Sequence, residues 1–220
     1  MKIALFTIWH EMNFGAEMQA YATVRALSEL GHDVVVIDLR ISDVASRNWK
    51  GKLADTIAPF TPANRHFEQF WDRYFPDKVR YKSVAELKLN PPQAELYLVG
   101  SDQTWNPDIV KELLPVAFLD FGEEHIMRAS YASSFGNNAW LMGKEMTTYV
   151  GTQLSRFHQL SCREKTGCEI LKQVFGMEAE NVLDPTLLHG DYSELIGNQH
   201  ETETLAYYPL DFDDGLESAA

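Results

Sequence analysis

Two continuous apolar runs, Ile3 to Trp9 and Val34 to Leu39, bracket one helix-length segment near the start of this 220-residue chain. No other feature constrains the fold as tightly. A strand that is apolar at nearly every position must be covered on both faces, as in parallel sheets with helices packed on either side. Between the runs, His10-Glu11-Met12-Asn13-Phe14-Gly15 is a polar, glycine-bearing turn. A helix is expected from about Ala16, with Met18, Tyr21, Val24, Leu27 and Leu30 on one stripe and Gly31 closing it. Strand, turn, helix and strand in this order open a parallel α/β sheet.

The pattern continues downstream. Asn64 to Phe75 places Phe67, Phe70, Trp71, Tyr74 and Phe75 at helical spacing, a stripe read as core, ended by Pro76. Ser83-Val84-Ala85-Glu86 opens a short helix, and Glu95 to Val99 is a further strand. Extended chain is expected over Arg128 to Ser133 and Gln159 to Glu164, and at Asn181 to Thr186. Helices are expected over Leu141 to Phe157 and Gly167 to Phe175. Gly190 to Thr202 is a polar linker, and Leu205 to Tyr208 begins a new strand. Residues 1–200 are thus expected to form one domain, with 201–220 a linker and the first strand of a truncated second domain.

Charge and cysteine content exclude several classes. With 19 Lys+Arg against 32 Asp+Glu the net charge is −13, unfavourable for nonspecific nucleic-acid binding or for adhesion to an anionic membrane. Eleven of the acids, and no Lys or Arg, lie between Met177 and Ala220. The preceding residues are nearly neutral and compatible with an anionic ligand. Cys162 and Cys168 fit neither a disulfide framework nor a zinc pattern; Cys162 is read as inert and buried. No apolar run approaches the length of a membrane span, and the N-terminus reads as a strand instead of a signal peptide. A cytoplasmic location is expected, with peripheral placement at the inner face of the membrane as an option.

Phosphate-loop, dinucleotide-fingerprint, zinc-peptidase and nucleophile-elbow motifs are absent. The polar clusters fall instead at strand carboxyl ends, where open α/β sheets bind ligands. After the first strand, Gly15 permits a tight turn and the helix start beyond Asn13 offers N–H groups to an anion or hydroxyl; a plain connecting turn is the alternative. Gly100-Ser101-Asp102-Gln103 follows a later strand. Asp102 there is either a hydrogen-bond acceptor or base, or an N-cap. Arg163 is either a clamp for phosphate or carboxylate or a structural partner of Glu164. Asp184-Pro185-Thr186 is most simply a capped strand end, and His10 alone is a weak proton donor.

Five blocks together resemble the polysaccharide pyruvyl transferase family. They are Asn13-Phe14-Gly15-Ala16 with Gln19-Ala20-Tyr21, Gly100 to Asn106, Tyr131 to Gly136, Ser161-Cys162-Arg163-Glu164, and Asp184-Pro185-Thr186-Leu187-Leu188. The resemblance implies a Rossmann-like parallel sheet with flanking helices, the N-terminal half of a glycosyltransferase-B-like fold. It implies transfer of the enolpyruvyl unit of phosphoenolpyruvate to a sugar of a cell-surface polysaccharide or its precursor, free or lipid-linked, giving a pyruvate ketal. Asp102 and Arg163 are the catalytic candidates, and Asn13, Gly15, Ser101, Gln103, Arg163 and Glu164 would bind substrate. No metal and no cofactor beyond the donor substrate is implied. The other half of the cleft would come from a C-terminal domain or a separate partner chain. A sugar- or anion-binding module without activity and a nucleotide-sugar glycosyltransferase are the competing readings.

Overall fold

The computed structural model describes residues 1–9, 13–44, 62–75 and 77–196. The elements are β1 (Lys2–Phe6), α1 (Phe14–Glu29), β2 (Asp33–Asp38), α2 (Ile41–Val44), α3 (Pro62–Tyr74), β3 (Lys78–Arg80), α4 (Val84–Leu89) and β4 (Leu96–Val99). Short turns α5 (Pro107–Val110) and α6 (Leu114–Ala117) lead to β5 (Met127–Ser130), α7 (Lys144–Leu154), β6 (Ser161–Cys162), α8 (Lys165–Phe175), β7 (Glu180–Asn181) and α9 (Pro185–His189). The chain divides into two compact units, Met1–Gly190 and Asp191–Ala220. The described part of the second contains one helical turn, α10 (Ser193–Ile196), within the stretch expected to be a linker.

Five parallel strands in the order β3-β2-β1-β4-β5 form the main sheet, the expected α/β, Rossmann-like arrangement. β1 lies at its centre, with Ile3 in register with Val34 on one side and Leu96 on the other. Its residues alternate between two cores. Ala4 and Phe6 join Val35, Ile37, Tyr97 and Val99 on one face. Ile3 and Leu5 join Val34 and Leu98 on the other, beneath Val24 and Leu27 of α1. This double coverage is why the runs are apolar at successive positions. A second pair, β6 and β7, is parallel and only two residues deep. Single bridges Ala129–Gln159 and Ser133–Cys162 tie it to the rim beside β5.

Several expectations are corrected. α1 starts at Phe14, and Leu30 is 72 % exposed; the buried face carries Glu17, Gln19 and Thr23 with Ala20 and Tyr21. These polar groups are accepted inside because each has a partner: Gln19 Nε2 donates to the Ile8 carbonyl at 2.8 Å, and Trp71 Nε1 donates to the Glu17 carboxylate. β3 escaped the sequence reading because Lys-Val-Arg at a sheet edge has no apolar run to announce it. The strand expected over Asn181 to Thr186 ends at Asn181, and Asp184 caps α9 instead. Of the aromatic stripe, Trp71 and Phe75 are core, while Phe67, Phe70 and Tyr74 are partly buried. His10, Pro76 and Leu205 to Tyr208 lie outside the described residues.

Candidate active site

The sequence order of the sheet reverses between β1 and β4, and the chains leaving these two strands diverge there, as open α/β sheets require of a ligand crevice. A polar cleft of about 290 Å³ opens at this point, lined by Asn13, Gly15 and Gln19 from the start of α1 and by Asp102, Arg163, Asp184 and Thr186 opposite. A larger cavity of about 400 Å³ lies between α1 and α3, but apart from Glu17 and His66 its walls are Phe14, Met18, Phe67 and Phe70. The convergent polar chemistry is in the smaller one.

At the α1 edge, Asn13 is an N-cap whose Oδ1 accepts from Gly15 N at 2.9 Å and Ala16 N at 3.2 Å. The helix start expected to present open N–H groups therefore has two of them taken by its own cap. Gly15 sits within the first helical turn, so no unusual backbone explains it; a Cβ there would lie 3.3 Å from Asn13 Oδ1.

After β4 the chain is held by its neighbours. Gly100 passes Thr7 so closely that an added Cβ would lie 3.0 Å from the Thr7 side chain, and the Thr7 hydroxyl donates to the Ser101 carbonyl at 2.8 Å. Ser101 is fully buried, and its hydroxyl donates to Asp184 Oδ2 at 2.9 Å. Asp102 follows with φ +75°, a left-handed conformation uncommon outside glycine, fixed by a bridge to Ser133 and by Ser134 N–H donating to its carbonyl at 3.0 Å. Burial pushes the Asp102 carboxyl above the usual carboxylate range. The Gln103 N–H, 2.7 Å from Oδ1, and the Arg163 charge pull it down, while Asp184 and Glu164 push it up. The Gln103 side chain turns away from the cleft and accepts from Asn106 Nδ2 at 2.7 Å, where Gly136 leaves room for the pair.

Arg163 leaves β6 with its N–H bonded to the Ser133 carbonyl at 3.2 Å, so the β4, β5 and β6 ends are tied together. Its Nε donates to Glu164 Oε1 at 2.8 Å and its Nη1 to Asp184 Oδ2 at 3.1 Å. Burial works against the charged guanidinium, yet the two carboxylates outweigh it and hold its pKa above the ordinary arginine value. The pairing with Glu164 weighed in the sequence is thus present, and it leaves Nη2 without a partner among the described residues. Asp184 also receives the Thr186 N–H at 2.9 Å and the Thr186 hydroxyl at 2.6 Å. Burial alone would raise its pKa, but the Thr186, Arg163 and Ser101 donors together lower it.

A family model for polysaccharide pyruvyl transferase matches residues 13–217. The chain belongs to the polysaccharide pyruvyl transferase family. No curated protein sequence matches it significantly. The matched span holds every residue that lines the cleft, and membership marks the chain as a transferase-family protein with a saccharide acceptor. Four residues that line the cleft are not among the site candidates drawn from sequence: Ala16, Gln19, Asp184 and Thr186. Two of the resembling blocks contain them, which was the available signal. Among the described residues no cluster of His, Cys, Asp and Glu is arranged to hold a metal ion, and no helix is long and apolar enough to cross a membrane.

Proposed function

We propose that the cleft is the N-terminal wall of a pyruvyl transfer site that takes phosphoenolpyruvate as donor and a diol of a saccharide as acceptor. One observation carries the reading: Arg163, with Nε and Nη1 held and Nη2 unpartnered among the described residues, and Asp102 line the same small polar cleft.

The donor is polyanionic, and a guanidinium anchored at Nε and Nη1 meets a carboxylate or phosphate with its remaining edge. In the reaction, the donor methylene gains a proton and becomes a methyl group. An acceptor hydroxyl adds to the adjacent carbon, and its proton leaves. The second hydroxyl then forms the other C–O bond as the bond to phosphate breaks, and its proton departs with the phosphate. Asp102 is placed to orient the acceptor and to move one of these protons, because a carboxyl raised above the usual range exchanges protons closer to neutrality. Ser101 is buried beneath the wall and acts by holding Asp184, Gln103 by bracing the loop, and Glu164 by holding Arg163 Nε. Asn13 and Gly15 form the opposite edge. No metal or further cofactor enters this scheme. A C-terminal domain or a partner chain would supply the facing wall and additional cations, and the location would be cytoplasmic, where phosphoenolpyruvate is made.

The test is phosphate release from phosphoenolpyruvate that depends on added saccharide, measured on the longest native form of the protein. Wild type should release phosphate and Arg163→Ala should not, with its fold retained. A fully active Arg163→Ala variant would remove Arg163 from the site. Stabilisation by a nucleotide sugar but not by phosphoenolpyruvate would transfer the reading to a glycosyltransferase. Stabilisation by saccharide alone would leave a sugar-binding module.

A further inference from the structure

We propose that Asp184 is a positioning residue that fixes the Arg163 guanidinium, so that Nη2 is the edge presented to a bound anion, and that it joins Arg163 and Asp102 into one coupled unit. The proposal rests on the donor reading above for its ligand, but not for its geometry.

An N-cap needs one oxygen. Asp184 Oδ1 does that work, receiving the N–H and hydroxyl of Thr186 at 2.9 and 2.6 Å. Oδ2 has no part in capping α9. It is given to Ser101 at 2.9 Å and Arg163 Nη1 at 3.1 Å, from segments 83 and 21 residues away. With donors on both oxygens the carboxylate plane cannot turn, and Ser101, which orients Oδ2, is itself fully buried. Glu164 holds Nε at 2.8 Å, so the guanidinium plane is fixed at two of its three nitrogens. A planar fork held in this way offers a ligand its last nitrogen in a defined direction, which a lysine could not do.

The same residue lines the cleft together with Asp102 and Arg163. The groups acting on Asp102 come from three elements: Arg163 and Glu164 after β6, Asp184 at the head of α9, and the Gln103 N–H after β4. Arg163 favours the ionised form of Asp102, and Asp184 and Glu164 oppose it. Altering Asp184 therefore alters Asp102 directly and also through the placement of Arg163. Because four donors already compensate the Asp184 charge, loss of the fixed guanidinium should outweigh relief of its repulsion toward an anion.

A double-mutant cycle on the full chain tests this with phosphoenolpyruvate as the probe and calorimetry as the readout. Asparagine is a good N-cap, so Asp184→Asn should keep α9 and the fold, with a melting temperature lowered near neutrality by loss of the carboxylate charge. With Arg163 present, Asp184→Asn should weaken binding by about fivefold or more, the scale of one charge-assisted hydrogen bond. In an Arg163→Lys background, where no fork remains to be oriented, the same change should matter by less than about twofold. Equal effects in both backgrounds would overturn the positioning role. A second readout needs no ligand: carbon-13 titration of labelled aspartates, with the Asp102 signal assigned by its loss in Asp102→Asn. Its midpoint should move to higher pH in Asp184→Asn, because Arg163 acts on Asp102 more strongly than Asp184 does, and an unmoved midpoint would overturn the coupling. If wild type, or the lysine variant, binds no phosphoenolpyruvate, the titration alone decides. In wild type that result would count against the donor reading and not against Asp184.

Discussion

Ser130 and Ser161 exchange three hydrogen bonds through their side chains. Ser161 N–H donates to Ser130 Oγ at 2.8 Å, Ser161 Oγ donates to the Ser130 carbonyl at 2.8 Å, and Ser130 Oγ donates to the Ser161 carbonyl at 3.0 Å. Both residues are buried, and with the Ala129–Gln159 and Ser133–Cys162 bridges this pair helps to fix where β6 lies relative to the main sheet. Arg163 is two residues beyond Ser161. Ser161→Ala should cost about 1–3 kcal/mol, the usual range for a buried hydrogen-bonded group left without its partner. It should also weaken phosphoenolpyruvate binding although residue 161 does not line the cleft. Chemical denaturation and calorimetry on the same samples check both.

Asp102 should trade stability for function. A carboxyl raised in the folded state binds its proton more tightly there than in the unfolded chain. Its contribution to stability is therefore greatest below the ordinary carboxylate value of about 3.9, and is lost as pH rises through the folded value. Asp102→Asn removes the ionisation, and asparagine suits the φ of +75°. The variant should melt at a higher temperature than wild type at neutral pH, with the gap closing in acid, while saccharide-dependent phosphate release disappears. A lower melting temperature at pH 7 would contradict the burial argument.

Asp184 should behave in the opposite sense. Its pKa is lowered, so the stability it gives is present above the ordinary carboxylate value and is lost as pH falls through its folded value. Melting temperatures of wild type and Asp184→Asn should differ most near neutrality and converge in acid. A constant difference across pH would show that the carboxylate charge is not what stabilises the cap.

Arg128 looks catalytic by charge alone but is a structural staple. It is fully buried beside Tyr97 and donates to four carbonyls: Leu119 at 3.1 Å, Ile126 and Phe121 at 2.8 Å, and Glu123 at 3.2 Å. Arg128→Ala should destabilise the chain by about 3 kcal/mol, since several buried carbonyls lose their donor together. Lysine should rescue little, because an ammonium cannot reach four acceptors spread around a planar group. Denaturant midpoints of both variants would decide it.

Thiol labelling gives a simple check of the packing beside the cleft. Burial pushes the Cys162 thiol far above its usual range, whereas Cys168 is partly exposed and less shifted. Peptide mass mapping after brief alkylation near pH 8 should find Cys168 modified first and Cys162 only in denaturant. Rapid native modification of Cys162 would mean that the β6 segment opens.

The strands were legible where a residue type had one reason to be there. Val34 to Leu39 is apolar because both faces of β2 are covered. β3 was not, since Lys78 and Arg80 at an edge look like any polar loop. On α1 the 3.6-residue rule favoured Leu30 over Gln19, and a periodicity argument cannot foresee that Gln19 finds the Ile8 carbonyl. The cleft divides the same way. Asn13, Asp102 and Arg163 announced themselves by sitting just after apolar runs. The side-chain role of Asp184 depends on Ser101 and Arg163, and no local pattern reports a partner 83 residues away.

The strand ends that build the cleft are spread across nearly all of the described chain, with Asn13 on one edge and Thr186 on the other. During synthesis, β1, β2 and β4 can already pair while the segment carrying Arg163 and Asp184 is not yet made. The ligand-contacting geometry therefore depends on the longest-range closures, which form slowly because they must overcome the most chain entropy. A newly made chain would pass through a period with a sheet but an incomplete cleft, until α9 has docked against α1.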